Sequence, residues 1–301
     1  KPGQVSLTAR NVSVETLGQQ AAGALVSRQY QVPTATLELI DSTLTTRGQL
    51  SHGLQAESGA QLSASNSAVS THGDSALGVL ANNQASVQLD QVGVNTHGDL
   101  AHALVAKNGG VLDVTHSTIN ADGGQAAALY SQGTDALKGQ ANVDNSVLHN
   151  REGSTVAVAG VADIKLSDSI VGGSGQWLNV DRALASDGSQ VPDMGTGLWQ
   201  GVGRSLASAG NANIDVAGSV LNGSARTAGD SHSTVNLRDT SLWNLTGESN
   251  LGTLRNESSL IDFSAPLGGQ FKSLTVNDYQ GVNGTFALNS SLSSDGSSSV
   301  K

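Results

Sequence analysis

A tripeptide recurs every 25 residues along this chain, as Thr46-Arg47-Gly48, Thr71-His72-Gly73, Thr96-His97-Gly98 and Ala121-Asp122-Gly123. A fixed period of that length restricts a chain to stacked architectures, in which each repeat buries its apolar face only against its neighbours. Three apolar sets move in step with the tripeptide: Leu37, Leu62, Val87, Leu112; Leu44, Val69, Val94, Ile119; and Leu54, Val79, Leu104, Leu129. Around them apolar and polar residues alternate, as in Ala85-Ser86-Val87-Gln88-Leu89, the period of a strand. Three short strands per repeat suit a coil with three turns, whereas a four-stranded propeller blade needs roughly 40 residues or more. The expected fold is all-β, a parallel β-helix solenoid with about 25 residues per three-strand coil, each coil about 4.8 Å above the last.

Composition agrees with that interior. Only 3% of the 301 residues are aromatic, Gly numbers 37 and Cys is absent. Aliphatic ladders fill a narrow coil without aromatic side chains, and Gly, Asn and Ser serve the tight corners. Acidic residues outnumber basic ones 25 to 15, a formal net charge of −10. With no Lys/Arg cluster to neutralise successive phosphates, nucleic acid is not an expected partner. No stretch approaches 18 consecutive apolar residues, and the first residues lack the basic-then-apolar layout of a secretory leader. The chain reads as soluble and already processed.

Where the period breaks, an excursion leaves the coil. Gly18 and Gly48 are 30 apart, which places extra residues at 27–33. Gly123 and Gly153 are also 30 apart, with the excursion at 133–139. The longest break, 182–204, contains Pro192, Met194 and Trp199 and reads as a surface loop. Its Trp199 either contacts a ligand or covers the coil beneath.

From about Thr234 the repeat changes character, dividing the chain into coils at 1–233 and a carboxy-terminal segment at 234–301. That segment carries Trp243, then Ser249-Asn250-Leu251-Gly252-Thr253-Leu254, Phe271-Lys272-Ser273-Leu274-Thr275-Val276-Asn277 and Gly281-Val282-Asn283-Gly284-Thr285-Phe286. This order resembles the end of the passenger region in pertactin-like bacterial autotransporters, over roughly 50 residues. The preceding 230 resemble that family only in pattern. The resemblance implies a right-handed parallel β-helix, exported through a carboxy-terminal β-barrel translocator to the exterior of the outer membrane or into the medium. It also implies that the last coils nucleate folding. Trp243, Phe263, Phe271, Tyr279 and Phe286 are five of nine aromatics yet fall within 44 residues. Larger side chains bury more area per coil, so these are the expected folding nucleus. The cap reads as cut short after Ser294-Asp295. Arg47-Gly48-Gln49 is the nearest approach to the family's Arg-Gly-Asp, so an integrin-binding role does not carry over.

Catalytic chemistry finds little support. A β-helix glycosidase needs two carboxylates facing one cleft, and only Ser51-His52-Gly53 and Ile164-Lys165-Leu166 approach polygalacturonase motifs. Gly172-Gly173-Ser174-Gly175-Gln176 fails the nucleophile-elbow pattern. No catalytic residue and no cofactor is expected. His72, Asp74, His97 and Asp99 repeat along one edge and allow two readings. They form a weak Zn²⁺ or pH-responsive site, or they are turns in which Asp caps backbone N–H groups. Thr45, Ser70, Asn95 and Asn120 form an exposed ridge that, with Trp199, offers a repeated hydrogen-bonding surface. These features favour a non-catalytic adhesin or virulence factor that binds a host matrix protein or glycan. A self-associating passenger that promotes aggregation and biofilm, and a polysaccharide-active enzyme, are the alternatives.

Overall fold

A computed structural model describes residues 3–29, 33–182, 209–266, 269–292 and 298–300. Every described element is a strand, and the strands stack in parallel ladders. The first face contains Val5–Arg10, Ala35–Ile40, Gln61–Ser65, Ser86–Asp90 and Val111–Thr115. The second contains Ser13–Thr16, Thr43–Thr46, Ala68–Thr71, Gly93–Thr96 and Thr118–Ala121. The third contains Ala24–Ser27, Leu54–Glu57, Val79–Asn82, Leu104–Lys107 and Leu129–Gly133. Register follows the 25-residue sets: Leu37 pairs with Leu62, Val87 with Leu112, Val69 with Val94, and Val79 with Leu104. Because side chains alternate across a strand, in-register pairing sends all three apolar columns into one interior. The parallel β-solenoid expected from the period is therefore present.

Longer connections join the third face to the first at two places. Strand Ser27 is followed by Ala35, and Gly133 by Gly139. The second insertion is one residue shorter than the Gly123-to-Gly153 spacing suggests, since Ala121 pairs with Asn150. Asn150 then accepts the Gly153 N–H on its side-chain carbonyl, so this Gly is not the counterpart of Gly123. The 182–204 excursion, with Trp199, lies outside the described residues beyond Arg182. After Ser154 the corners smooth out. Ser154–Ser167 runs through the third and first faces and Ile170–Asp181 through the second and third.

One corner repeats through the whole stack. Between the first and second faces the coils place a residue in the left-handed region, among them Asn11, Asp41, Asn66, Gln91, His116, Asn145 and Asp168 at φ of 45 to 55°. Asn and Asp tolerate that region better than most residues. The next residue is usually a buried Ser whose Oγ receives an N–H from the coil before. Ser117 N–H donates to Ser146 Oγ at 2.9 Å, Ser146 to Ser169 at 3.1 Å and Ser169 to Ser219 at 3.0 Å. Each of these three hydroxyls that is itself a turn Ser donates back to a carbonyl two residues earlier, as Ser146 does to Asp144 at 2.7 Å. The ladder supplies the acceptor that a turning backbone cannot, which a buried N–H requires.

The repeated tripeptide has a different cause from the one its glycine suggests. Gly73 has an ordinary φ, and the left-handed residue at this corner is Ser75 at 54°. A Cβ on Gly73 would meet the Gly48 carbonyl oxygen at 2.0 Å, so the glycine is required by close approach of successive coils rather than by the bend. The tripeptide's Thr is buried inside. Thr71 Oγ1 donates to the Ala76 carbonyl at 2.7 Å and Thr96 to that of Ala101 at 2.6 Å, which closes the corner from within.

Two apolar clusters result. The main one fills the coil from Leu37 to Ile261. A second one comprises Leu77, Leu80, Val105, Ala127, Tyr130, Ala157 and Ala159. Leu80, Val105, Tyr130 and Ala157 are paired in one column of the third face, offset by one residue from the inward column Val79, Leu104, Leu129 and Val156. They belong to the outer side of that face, yet none is more than 3% exposed.

The five aromatics of the carboxy-terminal segment differ in burial. Trp243 is fully buried, donates from Nε1 to the Gly223 carbonyl at 2.9 Å, and meets Trp177 edge-on at a centroid distance of 5.9 Å. Phe263 packs against the core and Phe271 is half-buried. Tyr279 and Phe286 touch each other at 5.4 Å but remain 42% and 38% exposed. The area argument therefore attaches to the Trp177–Trp243 pair, not to the last two rings.

Candidate binding surface

The predicted ridge is a continuous ladder on the outer side of the second face. Glu15, Thr45, Ser70, Asn95, Asn120 and His149 stand in register. Thr45, Ser70, Asn95 and Asn120 are all half-buried. Asn120 donates its amide to Asn95 Oδ1 at 2.8 Å, and Ser70 Oγ lies 3.2 Å from His72 Nε2. Part of the ridge's hydrogen-bonding capacity thus holds neighbouring coils together. An amide carries two donors and two acceptor lone pairs, so one ladder bond leaves groups of each Asn to address solvent.

Beside the ridge runs the corner column of the tripeptides. The His72 and His97 rings stack with centroids 4.8 Å apart and planes 20° from parallel. His97 Nδ1 is 3.3 Å from Asp122 Oδ2, and Arg47 Nε is 2.6 Å from Glu15 Oε1. Partial burial, then the facing His97 and Arg47, hold His72 below its usual pKa. Asp74 Oδ1 accepts the Asp99 N–H at 3.1 Å, and Asp99 Oδ1 accepts the Gly124 N–H at 3.0 Å. The two carboxylates are linked through backbone from coil to coil while their residues stay exposed. The stacked rings face one another rather than converging on a point. Among the described residues no group of three or more His, Asp or Glu side chains is arranged to hold a metal ion.

The other histidine pair plays an interior part. His52 and His102 are buried, and their Nδ1 atoms accept the N–H of Leu77 at 3.0 Å and of Ala127 at 2.9 Å. His102 stacks on Tyr130 at 4.5 Å, and burial pushes its pKa down to about 4. Sequence reasoning missed the interior role of this pair, Tyr130 and the outer cluster altogether. The available signal was a set of continuous apolar runs that fail to alternate, Leu77-Gly78-Val79-Leu80-Ala81, Ala103-Leu104-Val105-Ala106 and Ala126-Ala127-Ala128-Leu129-Tyr130.

Acidic side chains on the first face are engaged by neighbouring coils. Glu38 accepts from Thr8, Asp113 from Asn142, Asp163 from Lys138 and Asp215 from Asn236. Beside Glu38 a shallow groove of about 210 Å³ is lined by Thr36, Gln61, Ser63, Ser86 and Gln88, together with Leu37 and Leu62. Its lining suits hydrogen bonding to a polar polymer and brings only one carboxylate to the groove.

Comparison with known proteins adds the following. Residues 249–301 match the family model described as Autochaperone Domain Type 1. No curated protein matches. Among solved structures, the crystal structure of the autotransporter UpaB from E. coli strain CFT073 is similar at 12% identity and a TM-score of 0.48, over 94% of this chain and 73% of that one.

Proposed function

We propose that this chain, a parallel β-solenoid whose carboxy-terminal segment matches the autochaperone family, is the passenger region of a bacterial autotransporter, shown at the cell surface or secreted, and that it acts there as a non-catalytic adhesin. The full protein would then carry a β-barrel translocator after the segment matched at 249–301. The observation that carries the binding role is the outer ladder of Thr45, Ser70, Asn95 and Asn120, one hydrogen-bonding side chain per coil at a fixed spacing. Contacts too weak singly add up when a ligand repeats as the coils do. A host matrix protein or glycan fits that description, and so does a second copy of the chain. The absence of a catalytic role is supported by four acids of the first face, Glu38, Asp113, Asp163 and Asp215, whose carboxylates are engaged by Thr8, Asn142, Lys138 and Asn236.

The test is display of the chain ahead of an outer-membrane β-barrel on otherwise non-adherent cells. Surface accessibility to added protease, together with new adherence to immobilised matrix or glycan or to sister cells, is the expected result. Release of reducing sugar from a polysaccharide by the purified chain would overturn the non-catalytic role. A displayed chain that leaves the cells non-adherent would overturn adhesion.

A further inference from the structure

The corner column offers something that the ridge alone does not, a surface that matches itself. Arg47, His72 and His97 stand one above another, and Asp74 and Asp99 form a second exposed column two residues along the same turns. A two-fold axis needs a patch complementary to its own rotated image. Rotation about an axis that runs along the stack, between the two columns, lays the basic column of one copy on the acidic column of the other. We propose that this corner is a proton-gated interface between two copies of the chain, in which His72 and His97 of one copy face Asp74 and Asp99 of the second.

The gate follows from the neighbours. His72 faces Arg47 and His97, both of which oppose a second positive charge, while His97 has Asp122 beside it and Arg47 is paired with Glu15. Further along the column Arg151 pairs with Glu152. In the single chain the His72 imidazole therefore stays neutral at pH 7. A carboxylate arriving from a second copy favours the protonated rings, so association and proton uptake promote each other. The molecule as a whole works in the same direction. At neutral pH two copies with a formal charge of −10 repel, and acidification lowers that charge.

This inference rests on the self-association branch of the function proposed above, and its test separates the two. Sedimentation of the whole chain at fixed ionic strength, between pH 7.5 and 5.5, reads the dimer dissociation constant. The wild type is expected to tighten by about tenfold or more on acidification. His72→Gln/His97→Gln should lose that gain. Asp74→Asn/Asp99→Asn keeps the acceptors for the Asp99 and Gly124 N–H groups and should lose it as well, with far-UV circular dichroism confirming the fold. Two results would overturn the proposal. One is a wild type that stays monomeric at pH 5.5. The other is a wild type and variants that tighten equally, which leaves self-association standing but assigns it to the approach to the isoelectric point.

Discussion

Ser146 shows what one small side chain does in this architecture. Its Oγ accepts the Ser117 N–H and donates to the Asp144 carbonyl, in a corner where neither strand ladder reaches. Replacing it with Ala leaves a buried donor unpaired, and Ser146→Ala should lower stability by about 1–3 kcal/mol, read from the urea midpoint. His102 makes a prediction in pH. Its Nδ1 already accepts an N–H, so a proton there sets two donors against each other, and burial holds its pKa at about 4 in place of 6.5. A depressed histidine pKa leaves stability intact above 6.5 and removes it as pH falls from 6.5 toward 4, by on the order of 3 kcal/mol at the lower end. Urea midpoints across that range should fall for the wild type and fall less steeply for His102→Gln. An unchanged slope in the variant would show that other groups carry the acid sensitivity. These residue roles were not legible in the sequence. Serine after Asn or Asp reads as a generic turn, and a ladder that links residues 23 to 50 apart in the chain appears only once the coils are stacked.

At the level of the strand, the sequence was most informative where its period was strict. The three apolar columns pair as their 25-residue spacing requires, because shifting register by one residue would turn every inward side chain outward. The same alternation hid the outer cluster. Leu80, Val105 and Tyr130 occupy positions that a half-buried strand gives to polar residues. Counting aromatics does not separate the buried Trp243 from Tyr279 and Phe286, whose rings are exposed. The two buried indoles provide a matched comparison. Trp243 Nε1 bonds the Gly223 carbonyl, whereas Trp177 Nε1 has no hydrogen-bond partner. Phenylalanine removes the donor in both cases and strands an acceptor in only one. Trp243→Phe should therefore cost about 1–3 kcal/mol more than Trp177→Phe in the same unfolding assay. Equal losses would mean that ring volume, not the hydrogen bond, dominates at this junction.

As a whole molecule, the chain is a stack in which every coil depends on its neighbours, and its exterior is as periodic as its interior. The ridge residues Thr45, Ser70, Asn95 and Asn120 were legible for the same reason as the core: both are columns of one repeat. Composition could not reveal which partner a polar ladder serves, because an amide or hydroxyl that binds a ligand is chemically the same as one that keeps a solenoid in solution. The most direct test of the binding role is to apply the purified chain and its Asn95→Ala/Asn120→Ala variant to an array of glycans and matrix proteins, with solution mass followed over a concentration series. The account predicts that the wild type captures a repeating ligand or forms dimers, and that the variant, with unaltered far-UV circular dichroism, does so at least several-fold more weakly. A wild type that stays monomeric and binds nothing on the array, or a variant that binds as well as the wild type, would contradict it.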